Sequence, residues 1–502
     1  MTRVGQLLAG LVLLAAPAAI AFFSGGYFDE ARLVAAIVAW ALVALAALIG
    51  RRPLPRRAPG RLALAGLALY AAITGLSILW APIKGDALAD FERLLLYVAV
   101  LAAGIAFLSP RLVEPVLALG AAVVVGYGIS ERLLPGVLHF QHSFSAGGRL
   151  EQPLTYWNAM GALAALGVVL CARLAGDGRR PPWLRATASA ASIPLGVGLY
   201  LSFSRGALAA AAAGLVVLVL ALPHRPQLRS IAIVLVCVVL AAVAAGLLSS
   251  VRTLHGPLAT REREGIAMLA VLAVTCAAAA LVQLRAARRE LQGLARLDAV
   301  QLPRRAPVYV AIAVALVAIA VVAGASHERH AGGSQPAFGA TSQRLSSVDS
   351  NRYAYWKVAL DTFAAHPLIG DGSGSFAVDW LAKRKIPDPA RDAHSLYFET
   401  ASELGLVGLV ALALFLTGSV AAAVSARRVD AAAAAGSIAA LAVWLVHLGV
   451  DWDWEMPAVS LIGLLLIAGL VALVEQLSEA RPRRDAEALD PAPDVVASRA
   501  GA

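Results

Sequence analysis

One histidine and two arginines stand where chemistry can be done at the edge of a membrane. His394 lies in the run Asp392-Ala393-His394-Ser395-Leu396-Tyr397, and nine residues after Ser395 comes Gly405-Leu406-Val407-Gly408. A polar loop re-enters a hydrophobic stretch at this point, so the imidazole is expected at a membrane surface, where it can exchange a proton near neutral pH. Arg205, in Ser202-Phe203-Ser204-Arg205-Gly206, falls between two apolar runs. A guanidinium at that depth is costly without a partner, and a charge there marks function by default. Arg352 stands in Asn351-Arg352-Tyr353-Ala354-Tyr355-Trp356, in the first turn of an expected helix. Each has a plainer explanation: a helix-end histidine held by hydrogen bonds, an arginine reaching lipid headgroups, and a solvated arginine on a helix surface.

The elements that must position these groups are helices. The chain has 502 residues and is 60% hydrophobic, whereas soluble domains are closer to half apolar. Apolar runs at roughly 5–24, 31–50, 62–80, 92–108, 112–130, 155–173, 187–202, 205–222, 229–249, 265–284, 306–325, 404–424, 431–450 and 457–476 are near the length needed to cross a bilayer. The expected fold is all-α: a polytopic integral membrane protein with about 12–14 transmembrane helices, the lower count applying if the pair around Ser202–Gly206 is broken or re-entrant. A soluble enzyme on a single anchor is excluded.

Arginine orients the spans. Arg51, Arg52, Arg56, Arg57 and Arg61, then Arg173, Arg179, Arg180 and Arg185, then Arg285, Arg288, Arg289, Arg296, Arg304 and Arg305, then Arg427 and Arg428, and Arg481, Arg483 and Arg484 all fall on one side. That bias places both termini in the cytoplasm. The net charge of +10 is thus mainly a topology signal, and its short scattered clusters do not form a nucleic-acid surface. Cys171, Cys237 and Cys276 sit inside apolar runs with neither disulfide framework nor metal spacing.

Two outer segments exceed hairpin length, Glu131 to about Leu154 and a segment from about Ser326 to Glu403. In the second, Asp349-Ser350-Asn351 offers N-cap oxygens, Tyr353, Trp356, Leu360 and Phe363 recur at helical spacing, and His366-Pro367 ends the helix. Gly370 to Ser375 is expected to be a flexible loop with no helix after it, and no phosphate loop. A second helix is expected from about Asp392 into the next span, making a helical lid. The expected division is 1–325 membrane helices, 326–403 outer loop and lid, 404–478 membrane helices and 479–502 a disordered tail.

Weaker signals complete the outer face. All four lysines, Lys84, Lys357, Lys383 and Lys385, fall there, and Lys383-Arg384-Lys385 is a basic run suited to an anionic partner or to headgroups. Tyr156-Trp157-Asn158 opens the sixth span. Asp451, Asp453 and Glu455 crowd one turn with Trp452 and Trp454. Carboxylates can bind a divalent cation, but these tryptophans fit an interfacial aromatic belt, and no metal is assigned. Gly405 and Gly408, one turn apart, have a packing role of their own: admitting a neighbouring helix.

Taken together and in this order, Ser-x-Ser-Arg-Gly at 202–206, Arg352 ahead of an aromatic-rich helix, Pro367 and Gly374, and His394-Ser395 followed by Gly405 and Gly408 resemble the bacterial O-antigen ligase and polymerase superfamily. The resemblance runs from about Leu150 to Leu465; the first third is generic hydrophobic sequence. It implies a lipid-dependent glycosyltransferase of the GT-C kind in the bacterial inner membrane, with its lid and active site facing the periplasm. It implies an undecaprenyl-diphosphate-linked glycan donor and, within the superfamily, a lipid A–core acceptor. His394 would be the general base, and Arg205 and Arg352 would clamp the diphosphate. Lys84, Tyr156, Asn158, Lys383 and Lys385 would contact substrate. No cofactor and no metal are called for, and the partners are the two lipids and the bilayer, not nucleic acid. An O-antigen polymerase or a protein O-oligosaccharyltransferase would share the three motifs. A polysaccharide or lipid transporter is more distant, since it would place polar residues at mid-membrane in paired halves.

Overall fold

The computed structural model describes residues 3–51, 54–293, 339–341 and 350–489; the expected span at 306–325 and Asp349 lie outside them. Among the described residues there are sixteen α-helices and no strand. In chain order they are α1 (Arg3–Ala21), α2 (Asp29–Leu48), α3 (Ala58–Ser77), α4 (Lys84–Phe107), α5 (Pro110–Leu133), α6 (Trp157–Gly176), α7 (Pro182–Leu201) and α8 (Arg205–Ala221). There follow α9 (Arg225–Leu247), α10 (Ser249–Thr253), α11 (Leu258–Leu291), α12 (Arg352–Ala365), α13 (Phe376–Lys383), α14 (Leu396–Val429), α15 (Ala431–Leu448) and α16 (Pro457–Leu489). Ten are long and apolar enough to cross a membrane: α1, α2, α3, α5, α6, α9, α11, α14, α15 and the Pro457–Leu477 part of α16. The chain is an all-α, multi-pass membrane protein.

Burial orders the bundle. The apolar spans of α6 and α16 are wholly buried, whereas only 22% of α2 and 28% of α9 and α11 is. These two helices therefore form the centre, while α2, α9 and α11, apolar along their spans but little buried, face the lipid. Small residues set the closest crossing. Gly66 of α3 lies against the backbone of Phe415, and Gly418 of α14 against the backbone of Ala63. A β-carbon at either position would collide with main chain, so the pair brings α3 and α14 together.

The arginine-rich face is partly internal. Arg185 meets both oxygens of Glu290 at 2.7 and 3.2 Å, and Arg229 also contacts Glu290. Arg173 donates to the Ala432 carbonyl at 2.6 Å and pairs with Asp177 at 3.3 Å. These arginines fasten helix ends to one another.

The opposite face carries the lid. Tyr355, Trp356, Val358 and Ala359 of α12 bury against Phe376 and Trp380 of α13 and Ala393, forming a small core apart from the bundle. This corrects the expected stripe, for Leu360 is 47% exposed. At the start of α12 Ser350 Oγ accepts the Arg352 amide at 3.2 Å. The Gly370–Ser375 segment does precede a helix, α13, contrary to expectation. Nor do its glycines serve only flexibility. Asp371 and Gly372 amides donate to the Ser402 and Glu403 carbonyls at 3.1 and 2.8 Å, and the Pro367 and Leu368 carbonyls accept from Leu406 and Val407 at 2.8 and 3.1 Å.

That stitching is possible because α14 breaks at Gly405 (φ 60°, ψ −155°), freeing main-chain groups on both sides. Gly405 and Gly408 therefore do not admit a neighbouring helix. Gly405 faces the Leu368 backbone, and Gly408 faces Leu404 and Thr400 of its own helix. At the other end of the chain, α16 remains helical to Leu489, past the point where the tail was expected to lose structure.

Candidate active site

The lid, the α7–α8 turn and the α15–α16 connection meet around Asp451. Arg352, in the first turn of α12, contacts the Asp451 carboxylate through Nη2. Tyr156 OH donates to Asp451 Oδ1 at 2.6 Å, and Asn158 Nδ2 donates to Tyr156 OH at 2.7 Å. The Trp452 amide completes the set at 3.0 Å from Oδ1. Asp451 is fully buried. Burial alone would raise its pKa, but the charge of Arg352 holds it below the usual carboxylate range. Arg352 is correspondingly driven above its ordinary value. The acidic turn thus supplies a fixed counter-charge that orients a guanidinium.

His394 borders the same cluster. Its ring lies 5.0 Å from that of Tyr355 and 6.4 Å from that of Trp452, centroid to centroid. Nδ1 lies 3.0 Å from the Asp392 carbonyl. A carbonyl only accepts, so Nδ1 carries the proton and Nε2 presents the lone pair. Removal from water pulls the His394 pKa down, the Asp451 charge raises it and the Arg352 charge lowers it again; the balance lies below the ordinary value, which favours the neutral imidazole.

Arg205 opens α8 directly after a tight turn. Ser204 caps the helix, its Oγ accepting the Ala207 amide at 3.2 Å, and Ser202 Oγ accepts the Ser204 amide at 3.2 Å. The paired serines of Ser-x-Ser-Arg-Gly thus build the turn that presents the arginine. Arg352 and Tyr353 are both within electrostatic reach of Arg205. Among the described residues, five other than glycine have positive φ, and three belong to this site: Thr155 before Tyr156, Phe203 before Arg205, and His394 itself. Left-handed backbone is tolerated where surrounding structure enforces it, and such strain gathers at functional sites.

Of the residues singled out in the sequence, His394, Arg205, Arg352, Tyr156 and Asn158 share this neighbourhood. Tyr156 and Asn158 are buried in the relay to Asp451. Lys84 is exposed at the start of α4. Lys383 joins α13 to α12 through Thr362 Oγ1 at 2.8 Å and to Asp379 at 3.2 Å, and Lys385 is exposed.

The sequence reading missed the role of Asp451. Its acidic turn looked like a possible cation site, but each carboxylate has its own basic partner in the protein: Arg352 for Asp451, His447 for Asp453 and Arg93 for Glu455. Nor does Trp454 belong to an interfacial belt. It is buried among Tyr70, Tyr97 and Trp444. Arg149 was also missed; its guanidinium lies 3.6 Å from the centroid of the Trp157 ring. Only Trp157's position beside Tyr156 hinted at that stacking.

The family model described as O-antigen ligase matches residues 253–413, a segment that holds Arg352, His394, Gly405 and Gly408. Arg205, Tyr156 and Asp451 lie outside it. No curated protein matches the chain.

Proposed function

Because the chain carries an O-antigen ligase family segment, we propose that it transfers a glycan from undecaprenyl diphosphate to lipid A–core oligosaccharide at the periplasmic face of the bacterial inner membrane. The observation that carries this reading is the meeting of His394 with two arginines: Arg352 contacts Asp451, and Arg205 lies within electrostatic reach of Arg352. Glycosyl transfer from a diphosphate carrier needs those groups. Departure of the carrier concentrates negative charge on two phosphates, and guanidinium groups match phosphate oxygens with paired donors. Asp451 fixes the direction of Arg352, so little reorganisation is needed as charge develops.

His394 Nε2 takes the proton of the acceptor hydroxyl. The oxygen attacks the anomeric carbon, the bond from that carbon to the diphosphate oxygen breaks, and the bonding electron pair leaves with the carrier. A single displacement inverts the anomeric centre. Arg205 and Arg352 receive the diphosphate, and exposed Lys385 adds long-range attraction. Lys84, Tyr156, Asn158 and Lys383 remain proposed donor or acceptor contacts, the middle two acting through Asp451. Both termini are cytoplasmic in this reading.

The test is a strain lacking this gene. Lipid A–core should lose its O-antigen while lipid-linked polymer accumulates. Normal capping of lipid A–core in that strain would reject the ligase assignment, and loss of polymerisation instead would assign the chain as a polymerase.

A further inference from the structure

A cavity of about 790 Å³ opens between α1 and α2 on the lipid side of the bundle. Ala16 and Ala19 of α1 and Ala31 and Ala35 of α2 line its walls, and Leu96, Val100 and Leu461 are among the residues behind them. Small side chains on two helices that stay apart leave a channel that larger residues would close. Its only polar lining residues are Ser24 and Glu30, both at one end beside Phe23 and Phe28. That end belongs to the lid face. Tyr27, next to Phe28, has its ring centroid 5.6 Å from that of Trp452, which in turn meets Tyr156 at 4.4 Å and His394 at 6.4 Å. From Asp29, the first residue of α2, to Ala39 at the far end of the lining the helix rises roughly 15 Å. The cavity therefore reaches about halfway through a hydrocarbon core about 30 Å thick.

We propose that this α1–α2 cavity holds the carrier end of the donor's polyprenyl chain, the first isoprene units after the diphosphate. The inference rests on the lipid-linked donor proposed above. A polar end beside the arginine–histidine cluster and an apolar remainder open toward the lipid fit an amphipathic ligand whose charged head is at that cluster. A bilayer phospholipid has two chains and no reason to present its headgroup to His394. A single chain fits one groove between two helices, and its burial there makes affinity depend on the isoprene units next to the diphosphate.

The experiment compares donors with the same glycan and diphosphate but either a long prenyl chain or a methyl group in its place, using the full-length protein in nanodiscs. Ala16→Phe and Ala35→Phe fill the cavity; Ile37→Phe, on exposed surface of the same helix as Ala35, is the control. The filling variants should raise KM for the long-chain donor by about tenfold, the scale of expelling two methylenes. They should leave the methyl donor and kcat unchanged, and the control should match wild type. Equal effects on both donors, or none, would overturn the proposal and leave the cavity to ordinary lipid. Wild type inactive with both donors would remove the lipid-linked reading and this inference with it. Should the filling variants fail to insert, a long-chain prenyl diphosphate carrying a diazirine near its head decides the matter in the wild type. Label on α1 or α2 supports the proposal; label only elsewhere rejects it.

Discussion

At the scale of the residue, the proposed site consists of a proton acceptor, His394, and two arginines, of which Arg352 has its direction set by Asp451. His394→Ala should insert normally and transfer glycan at least about a hundredfold more slowly, the scale of a lost general base. The depressed pKa gives a further signature. This base works only when neutral, so lowering its pKa extends activity downward in pH. The acid limb of kcat/KM should therefore lie below about 6.5, the ordinary histidine value. Asp451 raises that pKa and Arg352 lowers it. Asp451→Asn should move the limb further acid and Arg352→Gln should move it toward neutrality, which a pH–rate series on the purified variants measures. A limb that shifts in the same direction in both variants would show that neither charge reaches His394. Arg205→Lys and Arg352→Lys should each be severely impaired, because an ammonium lacks the paired donors of guanidinium. Their double variant should lose less than the two single losses combined, since both hold one leaving group. Additive losses in transfer rate would separate them into different steps.

At the scale of the element, the lid is docked through a broken helix. Gly405 has backbone angles open essentially to glycine alone, and a β-carbon there would come within 2.5 Å of Leu368. Gly405→Ala should cost about 1–3 kcal/mol in strain, paid mostly where the Pro367–Gly372 loop is stitched to α14. Limited proteolysis of the lid should accelerate and activity should fall, with the bundle still folded. Unchanged protection of the lid would mean that the stitch is not what holds it. The sequence made both partners of this stitch visible as glycine-rich motifs. It did not reveal that they bind each other, because they stand thirty-odd residues apart with no complementary pattern, and main-chain hydrogen bonds leave no trace in side-chain type.

At the scale of the whole molecule, charge at the arginine-rich face has two uses that composition does not separate. Arg185 is buried against Glu290, whereas Arg179 is about half exposed beside Asp430 and Asp177. Removing Arg185 leaves Glu290 with Arg229 alone, a loss toward the lower end of the about 3–5 kcal/mol of breaking a buried pair, while an exposed pair contributes about 0–1 kcal/mol. Arg185→Leu should therefore lower thermal stability clearly and Arg179→Ala barely, as read by unfolding of the purified protein in detergent; equal losses would show that burial does not set the difference. The all-helical membrane class and the positions of most helices were legible in the chain, as was the choice of His394, Arg205 and Arg352 as the residues to test. Bilayer thickness fixes span length, and buried charge must be exceptional or functional, so local composition suffices for these. Only the tertiary structure decided that Asp451 is the counter-charge for Arg352, that Tyr156 and Asn158 reach it from α6, and that α1 and α2 leave a cavity beside the cluster. Asp451 stands 99 residues from Arg352 and 295 from Tyr156, and it is packing of the bundle, not any local pattern, that brings such segments within a few ångströms.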